Sequence, residues 1–150
     1  MRFVLGANGN QPLPEGGSQV SSQQDPTAVA VARAHVEAWG GHDYDSARAS
    51  LAPDVHVVVT SVDPDAPSVD TVGVEDYMQG LIQFGQAVLP GTSHVNSAIG
   101  DDTRALLQVT SRVKFGPEAP EMTLEGARLY RLDESRKIAE EQVVFFVAPQ

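Results

Sequence analysis

The chain has 150 residues, 41% of them apolar, no cysteine, and 20 acidic against 10 basic side chains, for a formal charge of −10. That length and apolar share suit one domain with one core, and a net negative field repels polyphosphates, so neither nucleic acid nor an anionic membrane surface is an expected partner. Without cysteine there is no disulfide, thiolate nucleophile or cysteine-ligated zinc, and such a chain fits a reducing cytoplasm.

Residues 1–25, MRFVLGANGNQPLPEGGSQVSSQQD, are rich in Gly, Pro, Gln, Asn and Ser. Such a stretch cannot bury enough apolar surface to offset its chain entropy and reads as a flexible arm ahead of a domain over 26–150. Phe3, Val4 and Leu5 are broken at once by Gly6, too short a run for a secretory signal. No uncharged apolar stretch approaches the roughly 18 residues that span a bilayer.

Asp25-Pro26 predicts a helix start, with Asp25 as N-cap and Pro26 in the first turn. The helix runs to about Trp39, with Ala28, Val31, Ala32, His35, Val36 and Trp39 on one side and Arg33 and Glu37 opposite. His35 therefore falls on the buried face. Gly40-Gly41 ends this helix, and Asp43 can cap a short second one from Tyr44 to Leu51 before Pro53-Asp54 turns the chain. The β-branched run Val55 to Ser61 predicts a strand; Val62 to Asp70, with two prolines and three aspartates, predicts a loop. A third helix follows Gly73, with Val74, Tyr77, Met78, Leu81, Gly85, Val88 and Leu89 on one face and a stop at Pro90-Gly91.

Beyond that point the apolar period changes from helical to alternating. Strands are predicted at Ser93 to Ile99, Thr103 to Phe115, Met122 to Leu132 and Lys137 to Val147. Helices interleaved with one strand, then a meander of long strands, is an α+β pattern with the helices on one sheet face.

The segment His35-Val-Glu-Ala-Trp-Gly-Gly-His-Asp-Tyr-Asp-Ser-Ala-Arg-Ala-Ser-Leu-Ala-Pro-Asp-Val55 resembles the opening of nuclear transport factor 2-like proteins, the superfamily of ketosteroid isomerase and the SnoaL-type polyketide cyclases. Gly73-Val-Glu-Asp-Tyr77 resembles the start of that superfamily's third helix, and Arg128-Leu-Tyr-Arg-Leu-Asp-Glu-Ser-Arg-Lys-Ile-Ala-Glu141 its last hairpin. The resemblance implies a curved antiparallel sheet wrapped around three N-terminal helices, a cystatin-like cone with a ligand pocket inside it. It also implies a homodimer through the outer sheet face, where Leu106, Gln108, Thr110 and Arg112 make a mixed surface.

Strand alternation puts Val55, Val57, Val59 and Ser61 on one face and His56, Val58 and Thr60 on the other. Ungapped counting implies that Val59 stands where the isomerases keep their catalytic aspartate, which turns the valines inward and His56 outward. That base is therefore missing, since valine cannot abstract a proton. By the same count His35 replaces a tyrosine resembling the isomerases' oxyanion-hole donor. It is a candidate donor or base, or else a core histidine bonded to a backbone carbonyl beneath Trp39. If the last hairpin is centred between Glu134 and Ser135, Arg128 faces Glu141 and Tyr130 faces Ala139, on a face otherwise apolar. A slip of one residue would instead set Arg128 against Gln142.

His35, Arg128 and Glu141 are thus the candidate catalytic residues, with Arg128-Glu141 as a structural ion pair the alternative. Trp39, Val57, Val59, Tyr77, Met78, Leu81, Tyr130, Val143 and Phe145 are candidates for touching a ligand, although several of them are equally plain core residues. His35, His42, His56 and His94 are too scattered for a metal site, and no serine sits at a nucleophile elbow. No cofactor is expected. Two functions stay open: binding of a small, largely apolar molecule with cofactor-free acid-base catalysis of cyclase, isomerase or hydratase type, or a non-catalytic ligand-binding or dimeric interaction module.

Overall fold

The computed structural model describes residues 24–146, so the arm expected over 1–25 lies outside the described residues except for Gln24 and Asp25. Helix α1 spans Thr27–Gly40 and α2 spans Tyr44–Ala49; strand β1 follows over Leu51–Ser61, then β2 over Val69–Val72 and helix α3 over Val74–Gly85. The remaining strands are β3 His94–Gly100, β4 Arg104–Val113, β5 Met122–Leu132 and β6 Ile138–Phe146. The order of helices and strands is the α+β arrangement expected.

The start of α1 differs from expectation in its cap. Asp25 does not accept from the helix; it pairs with Arg33 at 2.9 Å. The free N–H groups of Thr27 and Ala28 instead donate to Asp102 Oδ1 at 3.0 Å and to the Asp101 carbonyl at 3.1 Å. A distant turn thus supplies the acceptors that a helix start lacks. Asp43 does cap α2, accepting from Ser46 N at 3.2 Å.

α2 stops two residues short of the expected Leu51, because Leu51 is taken into β1, opposite Ile138, with an irregularity before His56. Within the expected Val62–Asp70 loop the chain turns back, and Val69–Val72 pairs antiparallel with β1. Two residues of alternating character at its end give too faint a period to read as a strand. α3 ends at Gly85 rather than near Leu89; Val88 leaves the helix to bridge to Val113.

The six strands form a curved, unclosed sheet in the order β2-β1-β6-β5-β4-β3. Every neighbouring pair is antiparallel except β1 and β6, which run parallel, so the sheet is mixed. Inward positions follow the expected alternation: Ala105, Leu107, Val109, Ser111 and Val113 are buried on β4, and Gly126, Arg128, Tyr130 and Leu132 on β5. α1 lays Ala28, Val29, Ala32, His35, Val36 and Trp39 on that face, and α3 adds Tyr77, Met78 and Leu81. Val29 is buried where Val31 was expected to be; Val31 is half-buried.

The β5–β6 register differs from the expected one by two residues. Arg128 lies opposite Val143, and Tyr130 opposite Glu141. One residue of the shift comes from the turn and one from an irregularity between Arg131 and Leu132. Because side chains alternate with a period of two, two such steps restore every residue to its face, whereas one would have turned Arg128 and Glu141 to opposite sides.

Candidate functional site

Between α3, β1, β2 and the inward faces of β5 and β6 lies a cavity of about 260 Å³. Its wall is mostly apolar: Val57, Val59, Val69, Leu81, Phe84, Val143 and Phe145, with the open Cα of Gly80. Thr71, Asp76, Tyr77, Arg128 and Glu141 supply its polar groups. A small apolar chamber with a few converging polar side chains is the usual form of a ligand site.

The polar end is built from three elements. Arg128 on β5 and Glu141 on β6 are diagonal neighbours on one sheet face, and Arg128 Nη1 donates to Glu141 Oε2 at 3.3 Å. Their side chains are only 6% and 3% exposed, so the pair is a buried one in which each charge compensates the other's desolvation. Tyr77, from the second turn of α3, donates to Glu141 Oε1 at 2.6 Å. The Arg128 guanidinium stacks over Trp39, 4.7 Å from the ring centre, and lies 5.6 Å from the centre of Phe145. Both aromatic faces favour the cation.

Behind Tyr77 stands His35, whose Nε2 is 2.9 Å from the Tyr77 hydroxyl and whose Nδ1 is 3.1 Å from the Ala47 carbonyl and 2.8 Å from Ser50 Oγ. The phenol has one proton. When it goes to Glu141, Nε2 must carry the imidazole proton and donate to Tyr77, while Nδ1 accepts from Ser50, whose one hydroxyl proton then leaves the Ala47 carbonyl that it otherwise reaches at 2.8 Å. When Nδ1–H donates to Ala47, Tyr77 must turn its proton to His35 and release Glu141. The array therefore couples the His35 tautomer to the bond that Glu141 receives.

Electrostatics agree with a carboxylate held ionised. Burial alone would raise Glu141, but the Arg128 charge beside it and the Tyr77 hydroxyl that donates to it outweigh burial and leave the acid below its ordinary value. Burial lowers His35 more than the nearby Glu141 raises it, so the imidazole is neutral near pH 7. Burial first, then the Glu141 charge, pushes both Tyr77 and Tyr130 well above the ordinary phenol value. For Arg128 burial acts downward, but the neighbouring Tyr130 and Glu141 prevail and keep it cationic.

Of the residues singled out from the sequence, Arg128, Glu141, Val57, Val59, Tyr77, Leu81, Val143 and Phe145 line the cavity. His35 does not; Tyr77 stands between it and the space. Trp39, Met78 and Tyr130 also lie outside the wall, since Trp39 is covered by Arg128 and all three sit within the packed core. Four wall residues were not named as ligand contacts: Val69, Thr71, Asp76 and Gly80. The last two belong with Tyr77, Leu81 and Phe84 to one helical stripe, a signal present in the spacing. Val69 and Thr71 depend on β2, which the prolines of its loop disguised. His56 points outward, its side chain 42% exposed and 2.7 Å from Asp70.

Residues 32–141 match the family model of the SnoaL-like domain, and the chain belongs to that family. No curated protein matches the sequence. Several solved structures share the fold. A protein from Catenulispora acidiphila with a ketosteroid isomerase-like fold, solved with trimethylamine, superposes with a TM-score of 0.62 at 14% identity, over 75% of this chain and 82% of that one. An LEH-like epoxide hydrolase from M. tuberculosis gives 0.60 at 18% identity, over 79% and 82%. A candidate SnoaL-like polyketide cyclase from Shewanella denitrificans gives 0.62 at 13% identity, over 80% and 90%. At such identities the likeness is one of fold, within a group that includes cyclases and isomerases.

Proposed function

We propose that the chain binds a small, largely apolar molecule in the cavity of about 260 Å³ and acts on it by cofactor-free acid-base chemistry of cyclase, isomerase or hydratase type. The observation that carries this reading is the buried Arg128–Glu141 pair set into an otherwise apolar wall. A pair made for stability alone is rarely better than an apolar replacement. Glu141 is the base, Arg128 the donor that holds a ligand oxygen, and Tyr77 the group that fixes Glu141. His35 acts through Tyr77 and not on the ligand.

The second reading is a non-catalytic binding module, favoured by Val59, an apolar cavity residue at the position that ungapped counting matches to the isomerase base, and by a Glu141 whose lowered pKa makes it a weak base. The two separate in heavy water. A ketone that fits the cavity should exchange its α-protons faster with the protein than without it, and Glu141→Gln should lose on the order of 100-fold of that acceleration, the low end for a positioned base. Binding with no faster exchange would leave only the module.

The reading extends to a homodimer in the cytoplasm. Its support is the row of apolar side chains on the outer sheet face, where Leu106, Leu129, Val144 and Phe146 are 36–42% exposed. Light scattering should give twice the 16.0 kDa of one chain, and a value of one chain would remove the dimer.

A further inference from the structure

The charged groups on the cavity wall fall into two sets. At the inner end Arg128 and Glu141 cancel each other at 3.3 Å. Asp76, in the first turn of α3, lines the same cavity but is exposed, and none of the ion pairs among the described residues includes it. Other acids close to it in the chain are engaged, Glu75 with Arg48 and Asp70 with His56 at 2.7 Å. Asp76 is therefore the one uncompensated charge on the wall, in a chain whose net charge is already −10. One turn further along α3 stands Gly80, also exposed, where an added Cβ would meet nothing within 4 Å. Glycine inside a helix is destabilising relative to alanine, and no close contact demands it here. What it leaves is room at the open side of the cavity, between α3 and the edge strand β2, whose Val69 and Thr71 line the same space.

We infer that the cavity selects a cationic amphiphile: an amine whose ammonium group sits at this mouth against Asp76, in the room that Gly80 leaves, with an apolar body reaching inward. The inference rests on the reading of the cavity as a ligand site and names the class of molecule that it prefers. Asp76, Gly80 and Phe84 follow one another a turn apart, a stripe of about 12 Å at 1.5 Å per residue. At its far end Phe84 packs on Trp39 and Phe145, with ring centres 5.9 and 5.8 Å apart. A ligand laid along the stripe has its charge at one end and its carbon skeleton against Leu81, Phe84 and the valines of β1. The place of the charge decides its cost. At the mouth an ammonium keeps part of its water and gains a carboxylate, so it avoids the penalty of a buried ion; at the inner end it would meet the Arg128 cation. A carboxylate at the mouth would meet Asp76. A separate sign that a ligand completes this chamber is Arg128 Nε, a donor with no acceptor among the described residues, on a cavity side chain only 6% exposed. An acid in the first turn of a helix also complements the helix dipole, so the experiment reads ligand preference and not stability.

The test uses the full chain and three probes with one apolar body: 4-tert-butylcyclohexylamine, 4-tert-butylcyclohexanol and 4-tert-butylcyclohexanecarboxylate. Calorimetry at pH 7 is expected to show the amine binding about fivefold tighter than the alcohol, the upper end for an exposed ion pair, with the carboxylate weakest. That advantage should shrink as salt is raised. Asp76→Asn, checked for an intact fold by circular dichroism, is expected to bring the amine to the affinity of the alcohol and leave the alcohol unchanged. Glu134→Gln, the same change of charge in the exposed β5–β6 turn, should keep the preference, and Gly80→Leu should weaken all three probes. The wild-type comparison and its salt dependence stand even where a variant does not fold. An amine no tighter than the alcohol, a carboxylate that binds best, or an advantage that survives Asp76→Asn overturns the inference while leaving the cavity as a ligand site. Undiminished binding in Gly80→Leu overturns it too, since the probes then enter elsewhere, and binding by none of the three removes both the inference and the cavity reading.

Discussion

At the scale of single residues the site is an ordered chain of hydrogen-bonded groups that converges on the acceptor Glu141: Ser50, His35, Tyr77, Glu141 and Arg128, linked by contacts of 2.8, 2.9, 2.6 and 3.3 Å. The sequence marks its ends better than its middle. An Arg and a Glu on apolar strand faces, and a His on an apolar helix face, stand out by chemistry, but Tyr77 reads as one more core aromatic because nothing in a helical stripe shows which hydroxyl finds a partner. His35 gives a prediction with a definite sign. Its folded pKa lies below the ordinary 6.5, so below that value the unfolded chain binds a proton that the folded chain refuses. The stability His35 contributes is thus fully present above pH 6.5 and is lost as pH falls toward its folded pKa. Glu141, lowered from 4.5, adds a second loss only at more acid pH. Urea unfolding at a series of pH values should show stability declining between pH 6.5 and 4.5, by at most about 1.4 kcal/mol per unit for one proton. His35→Gln should flatten that interval. An unchanged slope in the variant would mean that the imidazole is not held neutral by the fold.

At the scale of elements, what joins the helices to the sheet is close contact at turns. Most elements are legible in the sequence, from capping residues, valine runs and alternation. The errors share a cause: β2, the end of α3 and the α1 cap are each decided by a partner distant in the chain, namely β1, Val113 and Asp102. The β5–β6 register shows the same limit in another form. The faces hold because the two one-residue steps add to two, the strand period, although the facing partners differ from those expected. Gly100, at the end of β3, is the position where one methyl matters most. A Cβ there would overlap the Arg104 carbonyl and lie 2.8 Å from Ala105 Cα and 2.9 Å from Val29 Cγ2, two of them backbone atoms that cannot rotate aside. Gly100→Ala should therefore destabilise the fold by about 1–3 kcal/mol, the usual cost of overpacking. Chemical denaturation with unchanged stability would show that the β3–β4 turn yields more easily than its contacts to α1 suggest.

At the scale of the molecule, the fold divides labour between the two sides of one sheet. The inner face carries the core, the cavity and, among the described residues, every buried charged group: Arg128 and Glu141, with His35 set behind them. The outer face carries exchangeable surface pairs, such as Arg131 with Glu140 at 3.1 Å, and several half-exposed apolar side chains. Among the described residues no helix is long and apolar enough to cross a membrane, and no group of three or more His, Asp or Glu side chains converges as a metal site would require. The SnoaL-like domain supplies this scaffold, and a shared fold does not fix the chemistry of the cavity inside it. Here the buried polar groups of the cavity are an arginine and a glutamate with a tyrosine between the glutamate and a neutral histidine. The measurement that tests this account most directly is a methyl-detected NMR titration of the full chain with 4-tert-butylcyclohexanone. Saturable shifts are expected at the methyl groups of Val57, Val59, Leu81 and Val143, with those of Leu106 and Leu129 on the outer face unmoved. Shifts confined to the outer face, with the cavity methyls silent, would contradict it.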